Sequence, residues 1–87
     1  MPPVKIQNTD MPNCLVEEAI SVSDEALKRY CVDIDVAQFV KTHFDGRHGL
    51  YWNCIVGNKF GVYVTHHECN FVHFYLGNKA VVLFKGL

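Results

Sequence analysis

Apolar and polar residues alternate in Val4-Lys5-Ile6-Gln7-Asn8, the two-residue period of a half-buried strand, expected here at a sheet edge. Beyond it the period becomes helical. Leu15, Ala19, Val22, Ala26 and Tyr30 recur at spacings of three and four, predicting a helix from Asn13 to Tyr30 with one face toward a core. Glu17, Glu18, Asp24, Glu25, Lys28 and Arg29 fall on its solvated side, acids before bases, as the helix dipole prefers. Asp10 is the expected N-cap, with Pro12 tolerated in the first turn. Asp33 is the expected cap of a second helix, whose apolar stripe is Ile34, Ala37, Val40 and Phe44, widened by Val36 and Phe39. Asp45-Gly46 ends that helix or begins its end, and Gly49 closes any extension.

From Trp52 onward the chain turns β-prone, with short runs rich in Val, Ile, Phe, Tyr and Trp separated by turn chemistry. The expected strands are Trp52–Val56, Phe60–His66, Phe71–Leu76 and Ala80–Phe84. Gly57-Asn58-Lys59 and Gly77-Asn78-Lys79 read as turns between them. The order is β-α-α-β-β-β-β. It predicts an α+β fold in which two helices pack on one face of a mostly antiparallel sheet, since each apolar face needs a partner.

The run Phe71 to Leu76 sorts by alternation into two faces. Val72, Phe74 and Leu76 are purely apolar and belong under the helices. Phe71, His73 and Tyr75 are aromatic with polar handles, suited either to another protein chain or to packing under a loop. Gly61 allows close backbone approach in the neighbouring run, whose unpaired amides and carbonyls would accept an added strand at an exposed edge.

Eighty-seven residues suffice for one domain, 1–87. The formal net charge of −1 and the scattered Lys and Arg residues exclude a nucleic-acid binder acting through a basic field. No apolar leader and no run of membrane-spanning length is present, so neither secretion nor membrane insertion is expected. Cys14, Cys31, Cys54 and Cys69 are widely spaced and suit reduced, semi-buried thiols. His66, His67, Cys69 and His73 have no zinc spacing; a strand would set Cys69 and His73 roughly 13 Å apart. Cys54 with His66 is the one conceivable nucleophilic pair, and no oxyanion hole or orienting group accompanies it. No nucleotide-binding or paired-carboxylate motif is found. Neither a metal nor a cofactor is expected, and enzymatic activity is only the weaker alternative to a binding role.

The segment W-x-C-I-V-G-x-x-F-G-x-Y-V-T-H from Trp52 to His66, with F-x-x-F-Y-L-G from Phe71 to Gly77 and L-F-K at Leu83–Lys85, resembles the eight-kilodalton dynein light chains. The similarity extends through Asn8, Asp10-Met11, Ala26-Leu27, Tyr30, Asp35, Ala37 and Phe44-Asp45. The resemblance implies a non-enzymatic, cytoplasmic, microtubule-associated adaptor. It implies a homodimer in which the strand around Phe60–His66 crosses to complete the partner's sheet. Two symmetric grooves would each take an extended client segment as an added strand, often with a Thr-Gln-Thr core, as in the dynein intermediate chain. Two grooves on one dimer would pair two client chains by avidity.

By position, the resemblance assigns Gly61, Val62, Tyr63, Val64, Thr65 and His66 to the strand that a client pairs with. Phe60, Phe71, His73 and Tyr75 would line the groove, and Asn8, Asp10, Asp33, Ile34 and Asp35 would contact the client from the first loop and the second helix start. Trp52, Asn53, Gly57, Tyr63, Val64 and Thr65 would lie at the dimer interface. The family commonly has Ser at Val62, Tyr at His73, Lys at Ile34, Glu at His67 and His at Asn53. These departures spare the fold and bear on client preference. Asn53 removes the histidine that makes family dimers pH-sensitive, His73 introduces a titratable ring, and the C-terminus lacks a frequent serine. A structural subunit with a permanently filled groove is the remaining alternative.

Overall fold

A computed structural model describes residues 2–58 and 70–86. The described elements, in chain order, are β1 (Val4–Thr9), α1 (Asn13–Arg29), α2 (Asp33–His48), β2 (Trp52–Asn58), β3 (Phe71–Leu76) and β4 (Lys79–Lys85). The strands form an antiparallel sheet in the order β1-β3-β4-β2, with both helices on one face. This is the expected architecture. The expected strand at Phe60–His66 lies outside the described residues.

The core is the layer between helices and sheet. Val72, Phe74 and Leu76 of β3 meet Val81 and Leu83 of β4 there, beneath Val16, Ala19, Val22 and Ala26 of α1 and Val36, Val40 and Phe44 of α2. The helical faces are thus turned slightly from those read in the sequence. Val16 rather than Leu15 is buried, Tyr30 is exposed, and Ser23 and Asp24 lie on the covered side. Asp24 tolerates this because Lys28 reaches its carboxylate at 3.1 Å. On α2 the stripe runs through Val36, Val40 and Phe44, a strict spacing of four, and Ile34 is left 72% exposed. A second link between the helices is polar: the Glu18 carboxylate of α1 accepts from His43 Nε2 at 2.7 Å and His48 Nε2 at 3.0 Å. Burial pulls the Glu18 carboxyl upward, but these hydrogen bonds, with the charges of His48 and Arg47, outweigh it and hold the group below its ordinary value.

Neither expected cap holds. Pro12 occupies the N-cap of α1 with no side-chain hydrogen bond, and Val32 does the same for α2. Asp10 and Asp33 are each engaged by a residue distant in sequence, as described below. Gly57 and Asn58, read as a turn, continue β2 opposite Ala80 and Lys79. Gly77 and Asn78 do form the β3–β4 turn, with Gly77 at φ 59°, where a side chain would be strained. Gly49 closes α2 at φ 80°.

Phe44 is fully buried, its ring 5.0 Å from Trp52 and 5.2 Å from His48. Ser23 is equally buried, and among the described residues its hydroxyl has no hydrogen-bond partner. Phe44→Ala should therefore cost about 3–5 kcal/mol. Ser23→Ala removes an unsatisfied group from a helix and should raise stability by about 0.5–1 kcal/mol. Urea denaturation of the two variants beside the parent chain measures both, and a destabilised Ser23→Ala would contradict the packing described.

Candidate functional site

Directly opposed residues of an antiparallel pair share a face, so the register sorts the sheet's second surface residue by residue. Asn53 lies beside Phe84 and Phe71, Ile55 beside Val82 and His73, and Gly57 beside Ala80 and Tyr75. On the other side of β3, Asn8 is opposite His73 and Lys5 opposite Tyr75, with a register slip between Ile6 and Asn8. One surface thereby gathers Lys5, Asn8, Asn53, Ile55, Gly57, Phe71, His73 and Tyr75, with Ala80, Val82 and Phe84 of β4 between them. Six of them were marked by the sequence reading. Ile55 was missed, although alternation between Asn53 and Gly57 would have found it, and it is 42% exposed.

This surface is less open than the aromatic alternation suggested. Phe71 and His73 are buried and Tyr75 is half-buried. His73 and Tyr75 meet edge to face at 5.3 Å. Burial holds the His73 imidazole below its ordinary value, so the ring is neutral near pH 7. Trp52, expected at a dimer contact, is 1% exposed, and its ring packs on Phe44 under the helices. Phe60, Gly61, Val62, Tyr63, Val64, Thr65 and His66 lie outside the described residues.

Two braces fix the ends of β3. At its start, Phe71 and Asp10 exchange bonds: Asp10 N–H donates to Phe71 O at 3.1 Å and Phe71 N–H to the Asp10 carboxylate at 3.0 Å. The Thr9 hydroxyl adds a bond to Phe71 O at 2.8 Å and receives Met11 N–H at 3.0 Å. At the other end, Lys79 Nζ donates to the Asp33 carboxylate at 2.9 Å and to Asn58 Oδ1 at 3.3 Å. This ties the start of α2 to the end of β2 and the beginning of β4. Thr9, Met11, Asn58 and Lys79 carry no local sign of these roles, because every partner but Thr9–Met11 is long-range. The two braces are separated by the length of β3, roughly 16 Å for five residue steps.

The first turn of α2 carries Asp33 and Asp35, which suit the positive end of the helix dipole, and takes no side-chain cap. Ile34 and Asp35 are exposed beside it. Among the described residues, no three His, Cys, Asp or Glu side chains gather in a way that would hold a metal. Burial pushes the Cys54 thiol up to about 12, which suits an inert packing residue and not a nucleophile.

What such an arrangement can do is chiefly receive polypeptide. Strand β2 pairs with β4 on one side and has no second neighbour among the described residues. Its remaining row of amides and carbonyls, flanked by Asn53, Ile55 and Gly57, suits strand addition.

Residues 3–86 match the family model described as dynein light chain type 1. The chain is 43% identical over 81 residues to the cytoplasmic dynein light chain of Emericella nidulans, spanning 93% of this chain and 86% of that one. Its fold is similar to that of the dynein light chain-like domain of the Fasciola hepatica calcium binding protein FhCaBP2. There the TM-score is 0.84 at 19% identity, covering 99% of this chain and 93% of that chain. The DLC-like domain of CsTAL3 is similar with a TM-score of 0.69 at 17% identity, covering 98% and 95%. Those identities carry the fold alone, whereas the match along nearly the whole sequence carries the family: this chain is a member of the dynein light chain family.

Proposed function

We propose that the chain is a non-enzymatic light-chain subunit of a cytoplasmic, microtubule-associated dynein motor and acts as a homodimeric adaptor. In this reading the strand Phe60–His66 crosses to the partner's sheet and pairs with the outer side of β2. An extended client segment then adds to that strand as a further antiparallel one. Two such grooves on one dimer hold two client chains side by side, with the dynein intermediate chain as one client.

The observation that carries the reading is the placement of Asn53, Ile55 and Gly57 along the outermost described strand, on the surface they share with His73 and Tyr75. A strand whose outer row of backbone groups meets no other strand among the described residues, and which carries a partly exposed apolar side chain, is suited to a second chain. The spacing of the braces agrees with a short linear motif, since β3 spans about the length of five extended residues. The uncapped start of α2 offers amides to a client side chain such as glutamine. The family relationship supports the light-chain role, and the likeness to the Emericella nidulans protein supports the cytoplasmic location.

Calorimetric titration with a Thr-Gln-Thr peptide, with sedimentation on the same sample, tests this directly. A dimer taking one peptide per protomer is expected. A monomer that ignores the peptide would overturn the reading.

Ile34 removes a cation that the family usually has at this helix start, and it is well exposed to a ligand. Val62 removes a hydroxyl from the client-pairing strand. The groove is therefore more apolar than is usual and favours clients with aliphatic flanking residues. The double reversion Val62→Ser, Ile34→Lys should raise affinity for the Thr-Gln-Thr peptide about three- to tenfold, or about 0.6–1.4 kcal/mol. Unchanged relative affinities for Thr-Gln-Thr and aliphatic-flanked peptides would sink the specificity argument.

His73 gives a third check. A base whose folded pKa is lowered loses stability as pH falls through its unfolded value, about 6.5, because the unfolded chain takes up the proton first. The parent chain should lose stability relative to His73→Tyr between about pH 7 and 5.5, as read from denaturant midpoints; parallel curves would show that His73 is not buried neutral.

A further inference from the structure

On the helical side of the molecule, away from the sheet surface, a cleft of about 470 Å³ opens between the end of α1 and the outer flank of α2. Its lining is Tyr30, Asp35, Gln38, Phe39, Thr42 and His43. Four of the α2 residues, Asp35, Gln38, Thr42 and Phe39, recur at helical spacing and present one flank. Apart from Asp35, assigned above to client contact, the proposed function, on which this inference does not rest, makes no use of that flank.

The chemistry of the lining is specific. Tyr30 and Phe39 form its aromatic wall, with ring centroids 5.8 Å apart and planes tilted by 53°. The Asp35 carboxylate is exposed, and it is the one acidic side chain in the lining. Gln38 and Thr42 add an amide oxygen and a hydroxyl, both acceptors. His43 is engaged through Nε2 with Glu18 at 2.7 Å, so it contributes a ring edge and no free cation. The nearby Arg29 is answered by Glu25 at 3.3 Å. Arg29 also sits 5.4 Å from the Phe39 centroid, so the chain itself already places a guanidinium against this wall.

Aromatic faces beside a carboxylate and neutral acceptors are complementary to a cation with several donors. We infer that this cleft is a binding site for a basic side chain, arginine foremost, presented by a partner polypeptide. The planar guanidinium stacks on Tyr30, since Arg29 already lies over Phe39, while its N–H groups donate to Asp35, Gln38 and Thr42. Lysine fits less well, having a compact ammonium and no planar face. An acidic or purely apolar segment gains nothing from Asp35. The site lies behind the sheet, so an adaptor could hold a client in its groove and a basic partner here together.

The test is an amide NMR titration of the full chain with three blocked tripeptides, Ala-Arg-Ala, Ala-Lys-Ala and Ala-Glu-Ala. Arginine should move the resonances of Tyr30, Asp35, Gln38 and Thr42 most, lysine less, and glutamate not at all. Added salt should weaken the response. Tyr30→Leu keeps apolar bulk but removes an aromatic face, and Asp35→Asn removes the charge; each should weaken arginine binding about two- to fivefold. Tyr30→Leu should leave Thr-Gln-Thr peptide binding unchanged, which separates this site from the groove. Equal shifts with arginine and glutamate, or arginine shifts untouched by both variants, would overturn the proposal.

Discussion

The packing of Trp52 on Phe44 is the contact on which the arrangement depends, because it sets the outermost described strand against the helical layer. Trp52 is the first residue of β2 and Phe44 lies in the last turns of α2, with only a short connection between them. Polar bonds reinforce the same junction. Asp45 accepts Trp52 N–H at 2.8 Å and pairs with Lys41, while Lys85 donates to His48 O at 3.0 Å and lies 5.7 Å over the Trp52 ring. Burial works against the Asp45 charge, but these bonds and the cations Lys41 and Lys85 prevail and hold its carboxyl below the ordinary range. One aromatic contact and its ring of charge-assisted bonds thus aim β2 along β4. That direction decides which backbone groups face outward.

The same economy of anchoring recurs at both ends of β3. Asp10 and Asp33 each leave the helix start that follows or contains them and bind another part of the chain, Phe71 in one case and Lys79 in the other. Asp10 is exposed and Asp33 half-buried, and each carboxylate takes its charge-assisted or backbone bond from the long-range partner instead of the helix start. The helix starts are consequently left without side-chain caps, and in the first turn of α2 the Asp35 and Val36 amides turn back to Val32 O.

Much of this was legible from the residues alone. Alternation in Phe71–Leu76 assigned Val72, Phe74 and Leu76 to the core correctly, and glycine chemistry at Gly49 and Gly77 marked real stops. What failed did so where a tertiary partner overrode local preference. Asp10 and Asp33 read as caps because the residues that claim them are more than forty positions away. Gly57-Asn58 reads as a turn in isolation, yet pairing with Lys79 and Ala80 draws it into β2. The helical stripes differ at single positions: Val16 is buried in place of the expected Leu15, and Ile34 is exposed while Val36 is buried, because both members of each pair are apolar and only packing distinguishes them. The burial of Phe71 and His73 was illegible for a different reason: amphipathic aromatics suit a covered surface and an interface equally.

The departures from the family pattern separate by environment. His73 stands where the family commonly has tyrosine, and its neutral, buried ring against Tyr75 changes shape more than charge. Ile34 replaces a common lysine at a position with almost full access to solvent, where fold stability exerts little constraint. A buried exchange must fit the packing around it, so it is restricted to rings of similar bulk. An exposed exchange is free to be selected for what it meets. Of the two, Ile34 is therefore the position freer to follow what meets the helix start.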